Sequence, residues 1–370
     1  MVKDVIKLES VSKAFGKKTV LQGLNLDVKQ NETLALLGPN GCGKTTLLNI
    51  ISGLSKPDDG RVILNGVLVG GKRDGKTVHV LPCDRKVGYV FQASALFPHM
   101  RVRDNVAFGL RAKNYSKQEI ASRTQSLLEF VNMTEYSEYY PHQISGGQKQ
   151  LVALARSLAA DPQVLLLDEP MSAVDIRMRE SLRVEFKKIL QNLSITAIYV
   201  THNLNEAITL SDRIAIIGNG QIEQVGTRAD ILINPKSKFV AEFLGLNVYD
   251  AKVIANSNNQ PLLEICGVPI SGNFHRDLNK KSLLVTLKPE DVVLLSAIDS
   301  KKLAKNNECS NFLKGTVIDI QIMRSTVRVS VDVGFIIKSE LTLAYFNDLN
   351  LLEGREVYVF FKNKALNISD

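Results

Sequence analysis

No apolar stretch of this 370-residue chain approaches the roughly 18 residues needed to span a bilayer, which argues against a transmembrane helix. No long apolar segment follows the charges of Met1-Val2-Lys3-Asp4-Val5, so no signal peptide is expected. Cysteine is scarce: Cys42, Cys83, Cys266 and Cys309 stand far apart, and no pair has metal-ligand spacing. That pattern suits reduced thiols in a cytoplasmic protein. What is present is a basic excess, with a net charge of +8, which permits nucleic acid or an anionic membrane face as partner without choosing between them. Apolar residues make up 45% of the chain, enough for a well-buried core, and the length suggests two domains.

The densest signal is Gly38-Pro39-Asn40-Gly41-Cys42-Gly43-Lys44-Thr45-Thr46. An apolar run, Leu34 to Leu37, precedes it as a buried strand, and Leu47 to Ile51 follow as a helix. This is G-x-x-x-x-G-K-T in the strand–loop–helix setting of a phosphate loop. Gly38, Gly41 and Gly43 let the backbone curl so that its amides and the helix N-terminus meet phosphate oxygens. Lys44 can reach the β- and γ-phosphates, and the Thr45 hydroxyl can ligate Mg²⁺.

Strand patterns at 5–10 and 21–28 precede the loop, the second carried by Leu21, Leu24, Leu26 and Val28. Phe15 lies between them and has two readings: a flat face for adenine, or a core or loop phenylalanine. Residues 61–66 read as a strand ending in a turn, and the glycine-rich stretch 70–86 as an exposed loop. Val87 to Gln92 read as a buried strand with a polar end, and Gln92 has two readings: a side-chain carbonyl for Mg²⁺ and the attacking water, or a plain strand end. From about 99 to 163 the strand patterns vanish. Ser116 and Glu119 form a capping box for a helix whose face is Ile120, Leu127, Leu128 and Val131. Ser145-Gly146-Gly147-Gln148 opens another helix and makes a second anion-binding end. Two such sites in one chain make sense if the second serves a nucleotide held by another subunit. Val164 to Leu167 read as a strand buried on both faces. It ends in Asp168, suited to hold Mg²⁺, and Glu169, suited to act as base on the hydrolytic water. After Ser172-Ala173-Val174-Asp175 comes an amphipathic helix to about 192. A further strand, 195–200, leads to His202 just past its tip, which reads either as a structural histidine or as a contact to the γ-phosphate. Asn203 and Glu206 resemble another helix start, and 213–217 and 221–225 a hairpin about Asn219-Gly220.

From about Leu246 the composition shifts. Polar turns at Asn256-Ser257-Asn258-Asn259 and Asn279-Lys280-Lys281 separate short runs at 262–266, 282–287, 291–295, 314–322, 326–333, 335–340 and 356–361. Such spacing predicts a small barrel. The halves 248–298 and 310–368 read as candidate related modules, although no clear internal repeat links them. No catalytic constellation is visible here; His275, Glu290 and Asp291 read as surface residues.

The order phosphate loop, Gln92, Ser145-Gly146-Gly147-Gln148, Asp168-Glu169, Ser172 to Asp175, His202 resembles the ATP-binding subunit of an ABC transporter over residues 1–245. The tail resembles the OB-type regulatory domain of importers that handle sugars, polyamines, iron, sulfate and molybdate. Tyr89 to Gln92 followed by Ala95 to Met100 is also similar to that subfamily. The resemblance implies an α/β P-loop ATPase core (1–245) with a helical subdomain (about 99–163), plus a C-terminal all-β OB-like domain (246–370). It implies that Phe15 stacks on adenine and that Gly38 to Thr46 bind the phosphates of ATP and Mg²⁺. By the same likeness Gln92 senses the metal near the membrane subunit, and Asp168 positions the metal. Glu169 is then the catalytic base, and His202 contacts the γ-phosphate. Ser145, Gly146, Gly147 and Gln148 cap a nucleotide held by the opposite subunit, and Asp175 lies at the dimer interface. Departures from the family pattern are Ile144 and Val174 in place of leucine, Leu151 in place of arginine, and Asn203 in place of aspartate.

The expected partners are a second copy of the chain and integral membrane permease subunits, with a substrate-binding protein indirectly. The site of action is the cytoplasmic face of the membrane, and no nucleic acid is expected. The alternative is a soluble ABC ATPase acting on ribosomes or nucleic acid, argued from the basic charge. Against it stand the single cassette and a tail without the clustered aromatics of a base-stacking platform. Cargo stays open among anions such as sulfate or molybdate, iron, and polyamines.

Overall fold

A computed structural model describes residues 3–73, 75–113, 115–172, 174–257, 260–272, 282–296, 310–323 and 325–369. His275, Cys309, Ala173 and the turn residues Asn258, Asn259, Asn279, Lys280 and Lys281 lie outside the described residues. The chain forms two compact units, Met1–Ile231 and Leu232–Asp370.

Two sheets build the first unit. The larger has the order β11-β10-β3-β9-β8-β7, from β3 (Thr33–Leu37), β7 (Val87–Val90), β8 (Val164–Asp168), β9 (Thr196–Thr201), β10 (Arg213–Gly218) and β11 (Gln221–Thr227). All pairs are parallel except the edge pair β10–β11. Every residue of β3, β8 and β9 is buried, the outcome expected of continuous apolar runs covered on both faces. The β10–β11 turn uses Asn219 and Gly220, both at positive φ (48° and 76°). The second sheet is antiparallel, order β2-β1-β4-β5-β6, from β1 (Asp4–Phe15), β2 (Lys18–Lys29), β4 (Asp59–Leu64), β5 (Val67–Arg73) and β6 (Lys76–His79).

The pair β5–β6 corrects the expectation of a loop over 70–86. Gly71 serves close strand approach, and Gly75 (φ 76°) lies in the turn between the two strands. Gly71 sits at φ 119° opposite Arg61, and a Cβ there would lie 2.2 Å from the Gly60 carbonyl oxygen.

The helices of this unit are α1 (Lys44–Ser52), α2 (Val102–Arg111), α3 (Lys117–Phe130), α4 (Gly146–Leu158), α5 (Ile176–Leu193), α6 (Leu204–Leu210) and α7 (Arg228–Ile233). The capping box of α3 forms as read: Glu119 N donates to Ser116 Oγ at 3.2 Å, and Ser116 N to Glu119 Oε2 at 2.8 Å. Helices α2, α3 and α4 share a core with β8, β9 and α5 through Val106, Leu128, Leu154, Leu165 and Phe186.

In the second unit α8 (Lys238–Phe243) packs on β12 (Asn247–Ser257). Two antiparallel five-stranded sheets follow. One has the order β14-β13-β12-β15-β21, with β13 (Gln260–Ile265), β14 (Val268–Ser271), β15 (Ser282–Leu287) and β21 (Leu366–Ser369). The other has the order β16-β20-β17-β18-β19, with β16 (Val293–Leu295), β17 (Ser310–Ile322), β18 (Thr326–Asp332), β19 (Ile336–Thr342) and β20 (Glu356–Lys362). Between β19 and β20 lies helix α9 (Leu343–Leu349). Val285, Val317, Val329 and Val359 from both sheets join one core, as an OB-like domain requires. The halves 248–298 and 310–368 are therefore not separate modules: β16 joins the later sheet and β21 the earlier one. Strands β12, β14 and β21 were not expected.

Arg85 binds several of the first unit's elements together. It is 5% exposed. Its guanidinium donates to Ile50 O and Ile51 O in the last turn of α1 (2.8 Å each), to Val69 O on β5 (2.9 Å) and to Val80 O (2.8 Å). Burial lowers its pKa to about 10, which leaves it cationic at the negative end of the α1 dipole. Arg85→Ala leaves four carbonyls without this donor, and we expect a loss of about 2–4 kcal/mol by urea unfolding, with Arg85→Lys recovering only part. Wild-type stability in Arg85→Ala would refute this account.

Candidate nucleotide-binding site

Register places the site. Leu37 of β3 pairs with Thr201 of β9, and Val200 of β9 with Asp168 of β8, so three strand tips end at one level. The loop leaving β3 curls through Gly41 (φ 79°) and Gly43 (φ 106°) into α1. A Cβ on Gly38 would lie 2.3 Å from Ile217 O, so only glycine fits where β3 leaves the sheet. Lys44 Nζ donates to Gly38 O (2.8 Å) and Pro39 O (3.0 Å), which holds the ammonium inside the loop.

Facing the loop, Thr45 Oγ1 donates to Asp168 Oδ1 at 3.2 Å. Tyr89 on β7 brings its hydroxyl 3.2 Å from Asp168 Oδ2 and 3.3 Å from Asn49 Oδ1. Burial raises the Asp168 carboxyl above the usual carboxylate range, against the lowering bonds from Thr45 and Tyr89; the neighbouring Glu169 charge adds to the rise. Burial also drives the Tyr89 hydroxyl up, so it stays a neutral donor.

Glu169 follows at φ 44°, a left-handed conformation rare outside glycine. Its turn is fixed on both sides: its N–H donates to Val200 O (3.1 Å), and its carbonyl accepts from Ser172 N (3.0 Å) and Ser172 Oγ (2.8 Å). The carboxylate meets His202 Nδ1 at 3.2 Å. While Glu169 is ionised, that bond requires the proton on Nδ1.

A cleft of about 610 Å³ gathers Phe15, Asn40, Gly41, Gly43, Lys44, Thr45, Thr46, Gln92, Glu169 and His202, together with Val20 and Ser172. Phe15 is 56% exposed, which rules out its reading as a core residue. Gly38 and Pro39 serve Lys44 as acceptors, and the Cys42 side chain packs into the core, where burial pushes the thiol pKa up. The remaining motif residues do not line the cleft. Ser145 caps α4: its Oγ accepts from Gln148 N (3.3 Å), and Gln148 Oε1 accepts from Ser145 N (2.9 Å). Asp175 caps α5 through Arg177 N at 2.8 Å.

The departures from the family pattern are accommodated. Ile144, Leu151 and Val174 are buried in the helical core. Asn203 caps α6, accepting from Asn205 N (2.9 Å) and Glu206 N (3.3 Å). Glu206 does not complete a capping box; it is buried and accepts from Thr201 Oγ1 at 2.7 Å and Tyr199 OH at 3.2 Å.

Gln150, Arg156 and the contact of Tyr89 with Asp168 escaped the sequence reading. Gln150 Nε2 donates to Gln92 O (2.8 Å), and Arg156 to Ala95 O (2.7 Å) and Ser94 O (2.9 Å), so α4 holds the backbone after Gln92. Each looks in sequence like an ordinary strand or helix residue.

The donors fit Mg²⁺. Thr45 Oγ1 and Asp168 Oδ1 are adjacent hard oxygens. Among the described residues no three His, Cys, Asp or Glu side chains cluster as a self-sufficient metal cage. That suits an ion that takes its other ligands from phosphate and water.

Fold and cleft together define a P-loop nucleoside triphosphatase. Residues 21–172 match the ABC transporter family model. The spermidine/putrescine import ATP-binding proteins PotA of Clostridioides difficile and Thermotoga maritima are similar over most of their length. The first is 38% identical, covering 87% of this chain and 89% of its own; the second is 39% identical, covering 91% and 90%. A dimeric post-hydrolysis state of the ATP-binding cassette MJ0796, bound to ADP and Pi, is similar at 32% identity and TM-score 0.53, covering 60% of this chain and 98% of that one. The cbiO1 structure from Clostridium perfringens, part of the transporter complex cbiONQ, has TM-score 0.56 at 27% identity and covers 65% of this chain and 94% of its own. The chain belongs to the ABC transporter family as an ATP-binding subunit that hydrolyses ATP to drive import.

Asp168 links stability to pH. A carboxyl whose pKa is raised by folding costs nothing below the unfolded carboxylate range and costs most above its folded pKa. Asp168→Asn removes that cost. At pH 7 in EDTA the variant should melt higher than wild type, with the gap narrowing towards the ordinary carboxylate range. A lower melting point at pH 7 would contradict the burial argument.

Proposed function

We propose that this chain is the motor of an importer of small organic polycations. The observation that carries the motor assignment is the convergence of the α1 N-terminus, Glu169 and His202 on one cleft, with Asp168 held behind it against Thr45. Phe15 stacks on adenine. The loop amides and Lys44 hold the phosphates, and Thr46 borders them. Thr45, Gln92 and Asp168 would hold Mg²⁺, which when bound neutralises charge on the β- and γ-phosphates. Glu169 takes a proton from the attacking water, with His202 fixing its carboxylate and facing the γ-phosphate.

The helix end at Ser145 to Gln148 lies outside the cleft of its own chain, which supports its service to a nucleotide held by a second copy. Asp175 belongs to the same shared interface. The functional ATP-binding domain spans 1–245, with the helical subdomain at about 99–163. The regulatory domain spans 246–370, where β12 opens its first sheet. Permease subunits are the membrane partners, and a substrate-binding protein acts through them. The chain works peripherally, at the cytoplasmic face of the membrane, a reading supported by its likeness to import ATP-binding proteins. Among the described residues no helix is long and apolar enough to cross a membrane. The relatives' names, which speak of spermidine and putrescine import, support polyamine cargo.

Glu169→Gln keeps the shape and removes the base, so ATP hydrolysis should fall by about 10²–10⁴ while ATP binding survives. Hydrolysis at the wild-type rate refutes the role. The shared site has its own test. Ser145→Arg chains should bind ATP without closing as dimers, and mixing them with Lys44→Ala chains should restore at most one composite site. Normal ATP-dependent closure of Ser145→Arg homodimers, followed by light scattering, excludes the arrangement. Cargo is tested by uptake of labelled spermidine in cells carrying the whole importer, where the Glu169→Gln chain should abolish it. Spermidine uptake unchanged by that substitution removes the polyamine assignment.

A further inference from the structure

Phe15 stands at the end of β1 before a turn at Gly16 (φ 59°), and its hold on a base depends on what fixes that tip. The β1–β2 ladder reaches the tip, pairing Ala14 with Thr19 and Phe15 with Lys18, but its register shifts at Leu8/Val11, Val11/Lys13 and Lys13/Ala14. On the other side the β1–β4 pairing shifts register after Glu9 and ends at Ser12↔Asp59. Asp58, one residue before β4, takes over where the β1–β4 pairing stops. Its N–H donates to Ser12 O at 2.9 Å. Its Oδ2 accepts from Ala14 N at 2.7 Å, and its Oδ1 from Lys13 Nζ at 2.6 Å. One residue thus holds the three that precede Phe15.

Lys13 completes the device. Its side chain is only 13% exposed, and its ammonium stands 5.4 Å from the centroid of the Phe15 ring. Drawn to Asp58, the cation occupies one face of the ring and leaves the other for a ligand.

We propose that Asp58, acting through Lys13 and the Ala14 amide, is a positioning residue that sets Phe15 for the nucleotide base. The proposal rests on the reading that Phe15 stacks on adenine. It predicts that Asp58 influences the base and not the phosphates.

The test compares binding of Mg·ATP with binding of Mg·tripolyphosphate, which has no base, to the full chain, and follows ATPase kinetics. Asp58→Ala should weaken ATP binding and raise KM about fivefold, the loss of charge-assisted hydrogen bonds at a half-exposed site. It should leave kcat and tripolyphosphate affinity unchanged. Asp58→Asn, which keeps an acceptor for Ala14 N, should recover part of the loss, and Lys13→Arg should behave as wild type. Phe15→Ala should weaken ATP binding about tenfold or more. Adding Asp58→Ala to Phe15→Ala should then cost nothing further, because Asp58 acts only through the ring. Multiplying effects in the double variant overturn the proposal, as does a matching loss of tripolyphosphate binding. A Phe15→Ala protein that binds ATP normally overturns the adenine reading itself, a result distinct from failure at Asp58 alone.

Discussion

The structure depends on the buried register of three parallel strands. Because β3, β8 and β9 are covered on both faces, no sliding of one against another is tolerated. Their alignment puts the start of the phosphate loop beside Asp168 and Thr201. The site is therefore a property of the sheet more than of its loops. Thr45 meets Asp168 although 123 positions separate them in sequence.

That placement works against the stability of the strands that provide it. Asp168 is held in a desolvated position, and Glu169 sits in left-handed backbone. Both strains lie at the strand tip that faces the phosphate loop. Surrounding hydrogen bonds, from Thr45 and Tyr89 on one side and Ser172 and Val200 on the other, keep both residues in place. Arg85 plays the corresponding part behind the phosphate loop, closing the far end of the helix whose near end faces the cleft.

Much of this was legible in the sequence, for a reason that also marks the limit. Glycines, Lys44 and Thr45 must stand in fixed order because a turn of backbone is the binding surface. Asp168 and Glu169 end an apolar run because a buried strand must end somewhere polar. Tyr89, Gln150 and Arg156 carry no such local rule; they matter through partners 79, 58 and 61 or 62 positions away. The β5–β6 hairpin was hidden because Gly70 and Gly71 look like loop residues, whereas both lie in β5 and Gly71 allows close strand packing. Strand β12 was hidden because its sequence does not alternate: Val253 and Ile254 are both apolar, although Ile254 lies on the exposed face. The capping box at Ser116, by contrast, is wholly local and was readable.

The crossed strands of the second unit bear on how the chain can fold. The first tail sheet lacks its edge until residues 366–369 pair with β15, and the other sheet needs β16 from before 296. Neither half can reach its native form while the other is missing, so loop closure across some eighty residues must precede completion of the shared core. The first unit has no such debt to later residues: its sheets are composed entirely of segments before 228. Emerging in order, the chain can assemble its first unit well before its β-rich second unit is able to consolidate.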